Sequence, residues 1–185
     1  SLIGNPFQAQ VDMITTLSNG TNVNPNFYWA WDPNLNVRGA YTVYSVQGGE
    51  SAAGSAVNQF LQAGQGCFVS TLDTGSASLV FTQSSKETAL PETVVFKSNG
   101  KASKASTDAG YLRLSLYESG ALASNQTEAD GLWILFDDNA NNAIDAYDAL
   151  KFTNLDENLA ISTEGTLLSI ENRTIPNTSD EIQLE

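Results

Sequence analysis

Short apolar stretches recur along this chain between turns rich in Gly, Asn, Ser and Asp, a rhythm typical of an all-β domain. In the stretch 111–117 leucines alternate strictly with other residues, which predicts a strand with one face turned inward. The stretch 132–136 is apolar on both faces and predicts a central strand. Helical patterning is scarce, and 55–61 is predicted to be a loop or a single turn. The predicted strands are 27–31, 41–46, 66–70, 78–82, 93–97, 111–117, 132–136 and 167–170.

These strands predict one antiparallel β-sandwich, jelly-roll-like, spanning residues 1–185. A length of 185 residues and a hydrophobic content of 41% suit a single domain with a sizeable core. Between residues 84 and 109 the composition shifts to small and charged residues, which predicts a long connection with a flexible loop near 97–109. Both ends are abrupt, so we expect the chain to be a fragment of a larger multidomain protein.

The charge balance narrows the range of partners. The chain carries 21 acidic and 8 basic residues, a formal net charge of -13. Such a surface repels phosphate backbones and anionic lipid headgroups, so neither nucleic acid nor an inner-leaflet membrane is an expected partner. No apolar run in the sequence is long enough to span a bilayer.

The absence of histidine removes the commonest general base and the usual nucleophile pairs. Cys67 lies in an apolar run and is expected to be a buried, inert thiol. An enzyme built on this chain would have to use carboxylates alone, as glycosidases can. Nothing in their spacing selects a pair, and solvated surface acids are the simpler explanation, so we expect no enzymatic activity. The candidate carboxylates are Asp32, Glu128, Asp130, Asp137 and Asp138.

The segment 137–148 spaces oxygen-bearing side chains as a calcium loop does. At position 6, Asn142 stands where the turn prefers glycine, and the last position holds Asp148 instead of the usual bidentate Glu. The sequence therefore predicts calcium as a cofactor, with a solvated acidic turn as the alternative. The predicted ligands, at positions 1, 3, 5, 7, 9 and 12 of a twelve-residue loop, are Asp137, Asn139, Asn141, the carbonyl of Ala143, Asp145 and Asp148.

An aromatic run, Phe27 to Trp31, is the candidate ligand surface. In a strand, Trp29 and Trp31 fall on one face. If that face is exposed, the two indoles form a stacking platform for sugar rings, with Asp32 and Asn34 close by to bind hydroxyl groups. If it faces inward, the tryptophans are core residues, which is the usual place of aromatic side chains in sandwiches.

Five segments occur in an order that resembles a known family. They are LIGNPF at 2–7, WAWDP at 29–33, QGCFV at 65–69, LRL at 112–114 and FDDNANNAIDAYDALK at 136–151. Together they resemble the β-rich module of large secreted and cell-surface proteins of Bacteroidetes, commonly found just before the type IX secretion sorting domain. Cys67 departs from that pattern, because it replaces the first Phe of the family's Gln-Gly-Phe-Phe strand. The last segment is also similar to the calcium loop of dockerin modules, which supports calcium.

The resemblance implies a non-catalytic module of an adhesin or of a polysaccharide-degrading enzyme, secreted or held at the cell surface. Its expected partners are a polysaccharide or surface glycan and the neighbouring domains of the same chain. We therefore expect a calcium-stabilised adhesion or glycan-binding module. Two alternatives remain: a structural spacer without a ligand, and a carboxylate-based glycoside hydrolase.

Overall fold

The computed structural model describes residues 1–90 and 110–185, and their regular secondary structure is almost entirely β-strand, as predicted. Among these residues, no helix has the length and apolar character needed to cross a membrane. The helical elements are α1 (Met13–Ser18) and a 3-10 turn at Gln83–Ser85. The strands are β1 (Leu2–Gly4), β2 (Gln10–Asp12), β3 (Phe27–Asp32), β4 (Ala40–Ser45), β5 (Glu50–Ser51), β6 (Phe60–Leu61), β7 (Gly66–Phe68), β8 (Lys86–Glu87), β9 (Tyr111–Leu116), β10 (Asp130–Phe136), β11 (Ala149–Leu150), β12 (Ile161–Thr163) and β13 (Thr166–Arg173).

The strands form three sheets. The central sheet has the order β1-β7-β3-β4-β5 and is antiparallel throughout. The second sheet, called here the β10 sheet, has the order β11-β13-β10-β9, and β12 also pairs with β13. Within it β10 and β13 run parallel, with Trp133 opposite Ile170, while the other pairs are antiparallel. A small sheet has the order β6-β2-β8.

The central sheet and the β10 sheet pack face to face. Phe27, Trp29 and Val43 of the central sheet share one buried cluster with Trp133 and Ile170 of the β10 sheet. Each of these side chains is at most 3% exposed. Because alternate residues of a strand point to opposite faces, burial of Trp133 inward places the next residue of β10 on the far side of its sheet. The sandwich prediction is confirmed.

The opposite face of the central sheet is also covered. Tyr28 and Ala30 of β3 pack with Val11 of the small sheet and with Met13 of α1. Strand β3 is therefore buried on both faces, which explains its continuous run of aromatic and small residues. The helix begins at Met13, where the side chain of Asp12 accepts a hydrogen bond from the backbone N–H of Ile14 at 2.9 Å.

Six of the predicted strands coincide with strands of the structure, the exceptions being 78–82 and 93–97. The prediction for 78–82 is wrong: Ser78 forms a single bridge with Thr21, and no ladder follows. The apolar residues Leu79 and Phe81 instead pack against the cluster beneath the central sheet. The predicted strand 93–97 and the predicted flexible loop near 97–109 lie outside the described residues.

Candidate functional site

The acidic loop 137–148 connects β10 with β11 and is tied to β13 at both ends. The backbone N–H of Asp137 donates to the carbonyl of Arg173 at 3.0 Å. At the other end, Asp148 Oδ1 accepts a hydrogen bond from the backbone N–H of Asn172 at 2.8 Å. Between them, Asn142 Oδ1 accepts from the backbone N–H of Thr174 at 3.2 Å. The loop is thus a fixed feature at one edge of the β10 sheet.

Within the loop, four of the five side chains predicted to bind calcium accept hydrogen bonds from the loop's own groups, and the amide of Asn139 donates to Asp137 Oδ1 at 3.1 Å. Asp137 Oδ1 accepts from the backbone N–H of Asn139 at 2.8 Å, and Asn141 Oδ1 accepts from that of Ala143 at 2.7 Å. Asp145 Oδ2 accepts from Asn141 Nδ2 at 2.7 Å. The bonds from the N–H groups of Asn139 and Ala143 form turns in which a side-chain oxygen accepts from the backbone N–H two residues further along the chain. The described residues contain no group of three or more acidic, Cys or His side chains arranged to hold a metal ion.

The donor set nevertheless suits a hard cation, because carboxylate and amide oxygens are the ligands that Ca²⁺ prefers. Asn139, Asn141 and Asp145 are exposed, so their side chains have room to turn from the backbone towards an ion. Asp148 is 8% exposed, and burial raises the pKa of its carboxyl. Asp145 and Glu171 raise this pKa further, whereas hydrogen bonds from the backbones of Asn172 and Asp145 lower it. A cation at this position would relieve the repulsion.

A shallow polar groove lies beside this loop. It runs between β12, β13 and the C-terminal segment, and Arg173 is the basic residue in its wall. The guanidinium of Arg173 lies 3.2 Å from Glu171 Oε2, so its charge is already compensated. The groove therefore extends the negative surface of the loop and is unsuited to anionic ligands. The acidic residues of its wall are Glu164, Glu171 and Glu181.

Trp29 is a core residue, which corrects the prediction of an exposed platform of two indoles. Its side chain is 3% exposed and stacks on Phe152, with ring centroids 5.0 Å apart and an interplanar angle of 11°. Its indole Nε1 donates to the carbonyl of Leu150 at 3.0 Å. One face and the polar edge of the indole are therefore engaged inside the sandwich, and at 3% exposure Trp29 offers no surface to a sugar.

Trp31 is partly exposed and lies at the end of β3. Its ring meets Tyr41 edge-on, with centroids 4.9 Å apart. The indole also lies directly over Gly39, where an added Cβ would come within 2.6 Å of Trp31 Cζ2. Gly39 has a φ of +83°, so both its conformation and its missing side chain make room for the ring. Trp31 thus offers one partly exposed indole to the surface, where the prediction had two.

Asp32 and Asn34 form the turn that follows β3. Asp32 is 1% exposed, and its carboxylate accepts hydrogen bonds from the backbone N–H of Asn34 at 2.8 Å and from the hydroxyl of Ser55. Asn34 is partly exposed, and its amide also donates to Asp32 Oδ1 at 3.1 Å. The carboxylate of Asp32 therefore fixes the turn, and Asn34 is the member of this pair that reaches the surface.

The carboxylates considered for glycoside hydrolysis are distributed along β10 and beyond. Asp130 begins this strand and Asp137 follows its end, so roughly 20 Å separates them at the rise of an extended strand. That exceeds the spacing of paired catalytic carboxylates, about 5–10 Å. Glu128 Oε2 accepts from the backbone N–H of Gly54 at 2.7 Å, and Asp138 is exposed in the acidic loop.

One buried charged pair is absent from the sequence predictions. Lys151 Nζ contacts Asp130 Oδ2, and the two side chains are 3% and 2% exposed. The same Asp130 oxygen accepts a hydrogen bond from the backbone N–H of Leu159 at 2.7 Å. Burial lowers the pKa of the Lys151 ammonium, and the charge of Asp130 opposes this shift. A usable signal in the sequence is a lone lysine between the apolar residues Leu150 and Phe152.

Cys67 is buried in β7, as expected. It is 1% exposed and belongs to the cluster between the central and small sheets. Burial raises the pKa of its thiol to about 12, with a smaller opposing effect from the N-terminal amine. Because the thiolate is the reactive form of cysteine, this thiol is inert at neutral pH in the folded protein.

Comparison of the chain with protein-family models, with curated proteins and with solved structures finds no match in any of the three. The resemblance of the five sequence segments to the Bacteroidetes module stays an expectation. Three features of the chain therefore bear on its function: the acidic loop, Trp31 and the Lys151–Asp130 pair.

Proposed function

We propose that this chain is a non-catalytic module of a secreted or cell-surface bacterial protein, stabilised by calcium at the acidic loop 137–148. The observation that carries the proposal is the acidic loop itself. Its oxygen-bearing side chains follow the calcium-loop spacing, and its two ends are hydrogen-bonded to β13. An ion held there would join β10, β11 and β13 at one edge of the sandwich.

The charges of the acidic loop support a cation. Four aspartates lie in twelve residues: Asp137, Asp138, Asp145 and Asp148. Among the described residues, the ion pairs formed by lysine and arginine involve none of these four carboxylates. Mutual repulsion between carboxylates raises the free energy of the folded state, and a divalent cation reverses that effect. Calcium is favoured over softer metals because all the available ligands are oxygens.

The core position of the tryptophans supports a structural role for the module. Trp29 and Trp133 are 3% and 2% exposed and pack between the two large sheets. Their indoles therefore stabilise the sandwich and are not displayed to a ligand. A rigid domain of this kind is suited to holding a neighbouring catalytic or adhesive domain away from the cell surface.

Adhesion through glycan binding is the second candidate function, and Trp31 is the observation that favours it. This partly exposed indole lies at the end of β3, three residues before Asn34, which is also partly exposed in the turn that follows. A single aromatic ring beside an amide is sufficient for weak stacking and hydrogen bonding to one sugar unit. Binding of that kind becomes useful when the parent protein carries several copies of the module.

The calcium proposal is tested by thermal unfolding of the calcium-free protein before and after calcium is added. A ligand that binds only the folded state raises its apparent stability, so the midpoint should rise by several degrees. Asp145→Asn keeps an oxygen that can accept from the backbone of Tyr147 but removes one charge from the predicted ligand set. This variant should lose most of the calcium-dependent rise.

Asp138→Asn is the matched control. Asp138 is exposed in the same loop and carries the same charge, but it stands at position 2, outside the ligand register. It should therefore retain the calcium-dependent rise, and magnesium at the same concentration should have a smaller effect on the wild type. Identical midpoints with and without calcium would exclude the calcium site and leave the acidic loop as a solvated turn.

The two candidate roles are separated by retention on immobilised polysaccharides. Glycan binding predicts retention that Trp31→Ala abolishes and that Val37→Ala preserves. Val37 is a suitable control because it is an apolar residue, 81% exposed, in the turns between β3 and β4. Passage of the wild-type protein through every polysaccharide column without delay would support the structural role instead.

A further inference from the structure

Lys151 and Asp130 form a buried pair that also invites covalent chemistry, independently of the calcium proposal. Their side chains are 3% and 2% exposed, and Lys151 Nζ is in direct contact with a carboxylate oxygen of Asp130. We propose that the two side chains condense to an intramolecular isopeptide bond, joining Lys151 Nζ to Asp130 Cγ. The site is then a self-modification site within the sandwich and requires neither a cofactor nor a second protein.

The reaction balances within the pair. A proton passes from the Lys151 ammonium to the Asp130 carboxylate, which gives a neutral amine and a carboxylic acid. The lone pair of Nζ attacks Cγ and forms the new C–N bond. A C–O bond of the tetrahedral intermediate then breaks, and one water molecule leaves with the proton lost by nitrogen. No oxidation or reduction takes place.

Burial of the pair favours the first of these steps, the proton transfer. Burial disfavours charged forms, so a dry site shifts the ion pair towards its neutral tautomer. The lowered pKa of Lys151, caused by desolvation, acts in the same direction. Among the described residues, Asp130 is the acid whose charge acts on Lys151, so the proton is exchanged inside the pair.

Backbone donors hold the carboxyl group in place for attack. The N–H of Leu159 lies 2.7 Å from Asp130 Oδ2, and the N–H of Gly131 lies 2.8 Å from Oδ1. Fixed donors of this kind stabilise the oxyanion that develops on a carboxyl oxygen during acyl transfer. Held reactants also reach effective concentrations on the order of 10⁵ M or more. The pair therefore combines a contact between Nζ and the carboxyl group with two backbone donors to the carboxyl oxygens.

The bond would connect strands that are not neighbours. Asp130 is the first residue of β10, and Lys151 directly follows β11, while β13 lies between these two strands. A covalent link across β13 would prevent the β10 sheet from opening at this end, since β10 and β11 could no longer separate. That property suits a module exposed to proteases or to mechanical load.

The proposal is tested by intact-mass measurement of the purified wild-type protein under denaturing conditions. We expect a mass lower than that of the sequence by one water molecule. After proteolysis we expect a branched peptide in which the segments containing residues 130 and 151 are joined. Lys151→Arg keeps the positive charge but lacks a nucleophilic amine, so this variant should show the full sequence mass.

Two results would overturn the proposal. A wild-type protein with the full sequence mass and without a branched peptide would mean that the contact is an ordinary ion pair. A water loss that persists in Lys151→Arg would point instead to succinimide formation at the Asp130–Gly131 peptide, which releases the same mass. Because these masses are read on denatured protein, poor folding of a variant does not obscure the wild-type result.

Discussion

The two ends of strand β10 place acidic side chains in opposite surroundings. At its start, Asp130 is buried and contacts Lys151, a cation supplied by the protein itself. Beyond its end, the acidic loop 137–148 carries four aspartates, of which only Asp148 is buried. Among the described residues, no lysine or arginine forms an ion pair with these four aspartates.

This difference shows that carboxylates at the two ends of one strand are stabilised in different ways. A buried acid must be compensated internally, because no solvent reaches it. Exposed acids are tolerated in water at little cost, and their repulsion can be removed by an ion from outside. The contribution of Lys151 to the stability of the β10 sheet should therefore be independent of calcium, whereas that of the exposed aspartates of the acidic loop should vary with the calcium concentration.

The largest expected effect comes from Lys151→Met. This variant leaves the Asp130 carboxylate buried without its cation, which costs about 3–5 kcal/mol in comparable pairs. Urea denaturation should show that loss in the free energy of unfolding, with or without calcium. If the isopeptide bond forms in the wild type, the variant also loses that cross-link, and the loss of stability should exceed the loss expected for the ion pair alone.

A second substitution sharpens this prediction. Adding Asp130→Asn to Lys151→Met removes the unpaired charge and keeps an oxygen that can accept from the backbone N–H of Leu159. The double variant should recover part of the lost stability, because the remaining cost is that of an uncharged polar group. If Lys151→Met alone lowered the free energy of unfolding by less than about 1 kcal/mol, the effect would be that of a surface pair. That result would contradict the contrast between the two ends of β10.

The fold was largely predictable where the pattern of side chains is regular. The predicted strand 27–31 agrees with β3 to within one residue. Agreement is close here because the aromatic run is bounded by turns. The short elements were missed for a physical reason. Helix α1 has six residues, too few to establish a helical period, and β6 and β8 have two each. The positions of these short elements depend on partners distant in sequence. The prediction for 78–82 is wrong for a different reason, because its apolar residues pack against the core without forming a ladder.

The candidate site was predictable in its residue types and not in its surroundings. Spacing alone indicates the residues of the acidic loop 137–148 that we propose as calcium ligands. Burial of Trp29 could not be derived from alternation, since alternation assigns a face but does not say what covers it. The contact between Asp130 and Lys151 was also inaccessible, because the two residues are 21 positions apart and meet only through the pairing of β13 with its neighbours.

The smallest expected effect comes from a charged pair at the surface. Arg38 Nη1 lies 3.2 Å from Asp156 Oδ1, and the two side chains are 59% and 36% exposed. Water and salt already solvate both partners, so Arg38→Met should change the free energy of unfolding by less than about 1 kcal/mol. Urea denaturation at low and at high salt measures this difference directly. Since Lys151→Met and Arg38→Met each remove one positive charge from a protein of net charge -13, equal losses of stability would attribute the effect of Lys151 to net charge. A several-fold larger loss for Lys151→Met would attribute it to burial.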